Sequence, residues 1–142
     1  MRPKRSRKIS APPSIQGFAP IEQRAIEEPC IWLNWDEFEA LRLADYLDLA
    51  QEEAAGRMEV SRPTFGRILK SARNKVARAL VESRCMGVAG GVVSLDMAWL
   101  RCFSCGHLEK HDESMVEGNE CPSCGEPKLR LLAGDLTSEE VL

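Results

Sequence analysis

Four cysteines in two close pairs are the residues whose type and spacing point most directly to a chemistry. Two residues separate Cys102 from Cys105 and Cys121 from Cys124, and fifteen residues lie between the pairs. Thiolate sulfur is a preferred ligand of Zn²⁺, and two such pairs supply the four ligands of a tetrahedral site. The spacing therefore predicts one structural Zn²⁺ ion bound by Cys102, Cys105, Cys121 and Cys124.

Each cysteine pair lies in a predicted tight turn followed by glycine, as in the knuckles of a zinc ribbon. Iron or an iron–sulfur cluster is an alternative occupant of four thiolates, and the sequence alone does not identify the metal. With four thiolates available, His107 and His111 are expected to be surface or outer residues rather than ligands. Cys30 and Cys85, which have no close partner in the sequence, are expected to be ordinary thiols.

The cysteine site is predicted to be structural rather than catalytic. A metal held by four thiolates has no open position for an activated water molecule. Nothing else in the sequence places a nucleophile beside a base, and the acids between residues 27 and 53 are explained by helix capping and solvation. We therefore predict that the protein is not an enzyme.

A second set of candidate residues lies on one face of a helix predicted from Arg62 to about Ser83. Ser61 is a suitable N-cap for this helix, and Pro63 fits its first turn. The apolar residues of the helix fall in one arc, and basic and polar residues fall opposite them. Such a helix fits the major groove of DNA, where Arg recognises guanine and smaller polar side chains contact adenine or phosphate. The residues predicted to contact DNA are Arg62, Thr64, Arg67, Lys70, Ser71, Asn74 and Arg78.

Two shorter helices are predicted before this one. Asn34 and Glu37 have the spacing of a capping box, which begins the first helix, and the second runs from Gln51 to Met58. A short helix, a turn of about four residues and a basic helix form the layout of a helix-turn-helix. The alternative is that the basic face is only the solvated side of an amphipathic helix. A solvated face usually mixes signs, and this favours the nucleic-acid interpretation.

The net charge of −3 is divided into blocks of opposite sign. Residues 57–84 hold eight Lys or Arg against two acids, and residues 1–26 hold six against one. Residues 27–56 and 85–142 are acidic, with nine acids against one base and ten against four. The basic blocks indicate a polyanionic partner, unless the blocks neutralise one another within the fold.

The basic residues at the start of the chain are predicted to form a flexible arm. Five prolines among the first 29 residues argue against a helix there. The arm is expected to lie in a minor groove or along phosphates, and the alternative is a solubilising tail. Its candidate DNA contacts are Arg2, Lys4, Arg5, Arg7 and Lys8.

The stretch from Asp36 to Leu80 also resembles a known family. It reads DEFEALRLADYLDLAQEEAAGRMEVSRPTFGRILKSARNKVARAL and is similar to the small bacterial and archaeal family catalogued as domain of unknown function 134. The words QEEAA and SRPTFGRIL are specific to it, and the basic opening and Gly90-Gly91 extend the resemblance over about residues 2–91. The resemblance implies a DNA-binding fold, because the helices of the family resemble region 4 of sigma factors.

The sequence departs from the family pattern around the turn. Family members tend to have glycine where Glu59 stands, glycine near Asp48, serine near Ala50 and, in the basic opening, cysteine near Ser6. A residue with positive φ is costly for Glu, and Ala50 lacks a side-chain cap worth about 1 kcal/mol. The turn is expected to form in spite of both departures.

These observations predict a mainly α helix-turn-helix domain followed by a small β zinc-ribbon-like unit. The predicted segments are a basic N-terminal arm at 1–29, the helix-turn-helix domain at 30–86, a Gly-rich hinge at 87–95, the ribbon at 96–134 and an acidic tail at 135–142.

The predicted function is sequence-specific binding of double-stranded DNA by a transcriptional regulator in the cytoplasm, with no membrane segment. The acidic ribbon is expected to face away from DNA and to serve as a partner or dimerisation module. One alternative is a metal- or redox-responsive switch that acts through the four cysteines. Another is an adaptor that binds RNA polymerase or another protein, and a homodimer remains open.

Overall fold

Two mixed β-sheets and three α-helices make up the described part of this computed structural model, residues 5–14, 16–22, 28–112 and 117–137. The strands are β1 (Arg7–Ile9), β2 (Gly17–Phe18), β3 (Ile31–Leu33), β4 (Met86–Val88), β5 (Val93–Cys102), β6 (Leu108–Lys110) and β7 (Leu129–Leu136). The helices are α1 (Trp35–Leu41), α2 (Gln51–Arg57) and α3 (Arg62–Val81), and α1 continues into a π-helical segment, Arg42–Tyr46.

The prediction of a mainly α fold with a small β unit is wrong, because the protein is a mixed α and β structure. Helices α1 and α2 have seven residues each, and strands take up 26% of the described residues. The predicted arm contributes β1 and β2, and residues 87–95 contribute most of β4 and the start of β5. Strands of two or three residues are too short to show an alternating pattern, and their partners are distant in sequence.

The first sheet is built around β5, the longest strand. β7 runs antiparallel along one edge of β5, from the pair Val93 and Leu136 to the pair Cys102 and Leu129. On the other edge, β1 pairs in parallel with the first residues of β5, and β6 pairs antiparallel with its last residues. β5 therefore connects the basic start of the chain with the first cysteine pair.

The second sheet joins three short strands in the order β2, β4 and β3. β3 and β4 are parallel neighbours, and the backbone N–H of Ile31 donates to the carbonyl of Cys85 at 2.9 Å. Next to this contact, Cys30 and Cys85 form a disulfide. The prediction that these two cysteines are ordinary thiols is therefore wrong, because the parallel pairing of β3 and β4 brings residues 55 apart in sequence together.

The helices begin at the residues that the sequence indicates. α1 has Asn34 as its N-cap, and the backbone N–H of Asn34 donates to the Glu37 carboxylate at 2.9 Å. α3 has Ser61 as its N-cap, and Ser61 Oγ accepts a hydrogen bond from the backbone N–H of Thr64. α2 begins after Ala50, which offers no side-chain cap. Among the described residues, no helix is long and apolar enough to cross a bilayer.

Two main apolar cores lie beneath the helices. One joins the sheet around β5 to α1 and includes Ile9, Trp35 and Leu132. The other packs the π-helical segment and α2 against α3, with Phe65 and Met58 fully buried. α3 contributes to both cores, so its outward face has a fixed direction relative to the rest of the protein.

An arginine of β5 links the sheet to α1. Arg101 is only 6% exposed, and its guanidinium lies 5.8 Å from the centre of the Trp35 ring. Burial lowers the pKa of this guanidinium below its ordinary value. Because Arg101 immediately precedes Cys102, this contact holds the first cysteine pair close to the start of α1.

Candidate metal centre and nucleic-acid interface

The four predicted cysteines lie in one cluster. Their sulfur atoms are all within 4.8 Å of one another. Cys102 Sγ is 3.6 Å from Cys124 Sγ, and Cys105 Sγ is 3.7 Å from Cys121 Sγ. A tetrahedral ion with metal–sulfur bonds of about 2.3 Å places its ligands about 3.8 Å apart, so the donor set fits such an ion. The cluster is therefore compatible with a metal site.

The two knuckles repeat the same backbone geometry. The N–H of Gly106 donates to the carbonyl of Cys102 at 2.9 Å, and the N–H of Gly125 donates to that of Cys121 at 2.8 Å. Both glycines have positive φ, +80° and +78°. A side chain is costly in this conformation, which explains the glycine after each pair.

Backbone N–H groups also point at the sulfurs. The N–H groups of Ser104 and Ser123 lie 3.4 Å from the sulfurs of Cys102 and Cys121, respectively. Hydrogen bonds from backbone groups of Cys105 and Ser104, together with those from neighbouring thiols, lower the pKa of the Cys102 thiol to about 6. This sulfur is thus prepared to act as a thiolate ligand.

The opposite shift occurs at Cys124. A backbone hydrogen bond from Glu126 lowers its pKa, but partial desolvation and the neighbouring thiols outweigh this effect and raise the pKa to about 12. Without a metal, the four sulfurs therefore resist becoming four thiolates together, and an ion must displace protons when it binds.

The cysteine cluster is supported by a small apolar core of its own. Cys102 and Cys121 are buried with Leu100 and Leu129, whereas Cys105 and Cys124 are exposed. The two histidines are outside the four-sulfur cluster. His107 lies 3.3 Å from the Glu109 carboxylate, and His111 is exposed.

The outward face of α3 carries most of the predicted DNA contacts. Arg62, Arg67, Lys70 and Asn74 are exposed. Arg67 donates to Thr64 Oγ1 at 3.2 Å, which orients its guanidinium toward the start of the helix. Among the described residues, Arg62, Arg67 and Lys70 have no carboxylate partner. This face therefore holds cations that the fold does not neutralise.

Two other predicted residues of α3 are engaged within the protein. Ser71 Oγ donates to Glu37 at 2.7 Å, so this hydroxyl is directed at α1. Arg78 lies 3.8 Å from Glu82 in an exposed pair one turn along the helix. The structure thus divides the predicted set, with Arg62, Thr64, Arg67, Lys70 and Asn74 on the open face.

The predicted basic arm is largely held against the body of the protein. Arg7 pairs with Asp36 at 2.7 Å, and Lys8 pairs with Glu59 at 3.2 Å and Asp96 at 3.0 Å. Hydrogen bonds to Asp96 and Glu59 raise the pKa of Lys8. Arg5 is exposed and has no ion pair with a described residue. Arg2 and Lys4 lie outside the described residues.

Sequence reasoning missed three buried acids that position these elements. Asp36, Glu37 and Glu39 are 3–6% exposed, although we expected the acids of this segment only to cap helices and face solvent. Glu37 accepts a hydrogen bond from Lys75 at 2.8 Å as well as the one from Ser71, so it ties α1 to α3. The sequence did carry a signal for these contacts, because an acidic block lies between two basic blocks. Opposite charges from the acidic and basic blocks do pair in part in the structure.

The connection between α2 and α3 contains the strained residue that the family comparison indicated. Glu59 has φ +54°, and Asp48, before α2, has φ +55°. Both are positions where glycine would be unstrained. The turn nevertheless closes, because the N–H of Glu59 donates to Gly56 and that of Val60 donates to Ala55.

The chain is similar to a group of bacterial and archaeal proteins. A family profile described as "Protein of unknown function DUF134" matches residues 1–96. A "UPF0251 protein" of Moorella thermoacetica is 42% identical over 90% of this chain and 85% of its own length. Others, from Chloroherpeton thalassium and Methanothermobacter thermautotrophicus, are 40% and 38% identical over 87% and 94% of this chain and 82% and 69% of their own lengths. No solved structure matches the chain.

Proposed function

The chain belongs to the DUF134, or UPF0251, family, and we propose that it is a sequence-specific duplex DNA-binding protein that regulates transcription. The observation that carries this proposal is the face of α3, where Arg62, Arg67 and Lys70 are exposed without a carboxylate partner among the described residues. A solvated helix face normally carries both signs, whereas α3 contains no acid along its whole length.

The connection before α3 supports insertion of this helix into a major groove. α2 ends at Arg57 and α3 begins at Arg62, so the connection is as short as the turn of a helix-turn-helix protein. In that arrangement the first turns of the second helix reach base edges. Arg62, Thr64 and Arg67 are the residues that occupy those turns here, with Lys70 and Asn74 on the same face behind them.

The back of α3 is held firmly, which supports a recognition role. Glu37 joins α1 to Lys75 and Ser71, and Asp45 pairs with Arg73 at 2.6 Å. These contacts leave the helix little freedom to rotate. A helix held in this way presents its cations in one fixed arrangement, so DNA binding costs little further ordering.

We further propose that the cysteine cluster binds Zn²⁺ as a structural ion. Cys102, Cys105, Cys121 and Cys124 supply four sulfurs, which fill the coordination sphere of this metal. Zn²⁺ would supply folding energy to a region whose buried cluster, among the described residues, consists of Leu100, Leu129 and two of the ligands themselves. Acidic residues predominate in this part of the chain, so we place it away from the DNA backbone.

The central experiment compares Arg67→Ala with the wild type on two DNAs. Bound fragments are first selected from sheared genomic DNA, and affinities for a selected duplex and an unrelated duplex are then measured by fluorescence anisotropy. We expect Arg67→Ala to weaken binding to the selected duplex by about tenfold or more, and binding to the unrelated duplex by clearly less. Arg130→Ala, an exposed arginine of β7, is the matched control.

Equal losses on the two DNAs would contradict base recognition by Arg67. Failure of the wild type to bind any duplex at low salt would remove the DNA-binding proposal and favour the adaptor that docks on RNA polymerase or another protein.

One observation favours a second candidate function, a switch that responds to metal or oxidants. Cys105 and Cys124 are exposed, so oxidants and chelators can reach two of the four sulfurs. Oxidation or metal loss would unfold the chain around the four cysteines and so alter DNA affinity. DNA binding that is unchanged by chelator and by peroxide would exclude this candidate.

A further inference from the structure

A crevice open to solvent lies between the basic arm and the start of α3. It has a volume of about 690 Å³. Arg5 and Ser6 line it from the arm, and Ser61 and Thr64 line it from the first turn of α3. The crevice therefore adjoins the end of α3 that is proposed to reach the bases.

The arm is fixed beside α3 by backbone contacts. The N–H of Lys8 donates to the carbonyl of Met58 at 3.2 Å, and the N–H of Arg7 donates to that of Val92 at 3.2 Å. These bonds continue the pairing of β1 with β5. The crevice is thus a built feature of the fold rather than a gap beside a loose tail.

Two residues that line the crevice carry polar groups without a partner among the described residues. Ser6 Oγ is buried and makes no hydrogen bond there. Arg5 is exposed and pairs with no described carboxylate. A buried hydroxyl without a partner costs about 1–3 kcal/mol, so an acceptor atom that enters the crevice would be stabilised.

The other charged groups of the crevice are already paired. Arg7 faces Asp36, and Glu59 faces Lys8. Glu59 is the one lining carboxylate among the described residues and opposes an anion, but Lys8 partly neutralises it. Arg5 is then the uncommitted charge, and the positive end of the α3 dipole adds to it.

We propose that this crevice binds one phosphodiester group of a DNA backbone, with Arg5 as the charge partner and Ser6 Oγ as a hydrogen-bond donor. This inference rests on the proposed function. It assigns the arm one defined phosphate contact, in contrast to a flexible arm that lies along the phosphates without a fixed position. The bound phosphate sets the position of the first turn of α3 along the groove.

The first test pairs Arg5→Ala with DNA in which single phosphates are replaced by neutral methylphosphonates. For the wild type, we expect one replacement near the α3 contact to weaken binding by about tenfold. For Arg5→Ala, the same replacement should have little further effect, and the slope of log affinity against log salt should be shallower by roughly 0.9. Arg130→Ala is the matched control and should show the wild-type response to methylphosphonate replacement and the wild-type salt slope.

The second test uses Ser6→Ala, which removes the unpartnered hydroxyl without a change of charge. We expect affinity for duplex DNA to fall about fivefold with no change in salt slope. A purely structural Ser6 would leave affinity unchanged, and that result would overturn its role as a donor. Glu59→Gln should instead increase the affinity for duplex DNA several-fold, because it removes the carboxylate that repels the phosphate.

A titration with inorganic phosphate distinguishes whether the crevice binds a phosphate of DNA or a free phosphate ion. We expect phosphate alone to shift the amide signals of Arg5 and Ser6 only weakly, and excess duplex to displace it. Saturation by phosphate at low concentration, without competition from duplex, would overturn the DNA assignment. If the wild type binds duplex while Arg5→Ala and Ser6→Ala both behave like Arg130→Ala, this inference fails and the proposed function stands.

Discussion

A glutamate in a left-handed conformation closes the turn between α2 and α3. Glu59 has φ +54°, a region that a residue with a β-carbon enters at a cost of about 1 kcal/mol or more. Its carboxylate is exposed and contacts Lys8. The turn between the two helices therefore contains a strained residue.

We expect Glu59→Gly to stabilise the protein by roughly 1 kcal/mol, because glycine adopts positive φ without strain. The measurement is the free energy of unfolding in urea. Glu59→Gln is the control, since it removes the charge and keeps the β-carbon. If the Gly and Gln variants had equal stability, strain at this residue would not be the cause.

Buried carboxylates also hold neighbouring elements together. Glu37 accepts hydrogen bonds from Lys75, Ser71 and the backbone of Asn34. A buried charge is tolerated only when it is paired and hydrogen-bonded. The paired acids explain why the acidic block lies between two basic blocks, one in the arm and one in α3.

At the scale of elements, the helix boundaries were predictable from sequence and most strands were not. Local signals placed the N-caps at Asn34 and Ser61, because a cap depends on neighbouring residues. β1 has its partner in β5, and no local pattern reports such a contact. The cysteine cluster was predictable because its spacing is itself local, whereas the Cys30–Cys85 disulfide depends on the pairing of β3 with β4.

The Cys30–Cys85 disulfide is expected to contribute strongly to the stability of the second sheet. It spans 55 residues, and closing a loop of that size in the unfolded chain corresponds to about 4 kcal/mol as an upper estimate. The variant Cys30→Ser with Cys85→Ser should lose up to that amount in urea unfolding. Metal content is measured in parallel, so that an effect on the four-cysteine cluster is recognised.

A thiol reductant should lower the stability of the wild type to that of the double variant and leave the variant unchanged. Wild-type protein that alkylates at both cysteines without reductant, or a variant as stable as the wild type, would contradict a stabilising cross-link.

The metal ion proposed for the cysteine cluster should be lost as the pH falls. Binding requires four thiolates, and the pKa of Cys124 is raised to about 12, so binding near neutral pH releases protons. By mass action, a lower pH opposes that release and weakens affinity. We expect metal content after dialysis to fall between about pH 8 and about pH 5. A metal content that did not change over this pH range would contradict the expected proton release.

At the scale of the whole molecule, the region matched by the family profile and the cysteine region share one sheet. The profile covers residues 1–96, yet β5 runs from Val93 to Cys102 and pairs with both β1 and β7. A fragment of residues 1–91 therefore lacks the strand that holds the arm.

We expect such a fragment to unfold at lower temperature than the full chain and to show weaker dispersion of its amide signals. The control is a chain shortened to residue 137, which retains all of β5 and β7. A 1–91 fragment as stable as this control would mean that the helices fold without the sheet.

The parallel pairing of β1 with β5 also orders events while the protein is being made. Arg7 is synthesised early, but its partner Val93 emerges only after all three helices. Until then the N-terminal segment has no strand to pair with, so the backbone pairing of β1 forms only after Val93 to Leu95 have been synthesised. That pairing then holds Arg7 and Lys8 beside their carboxylate partners Asp36, Glu59 and Asp96.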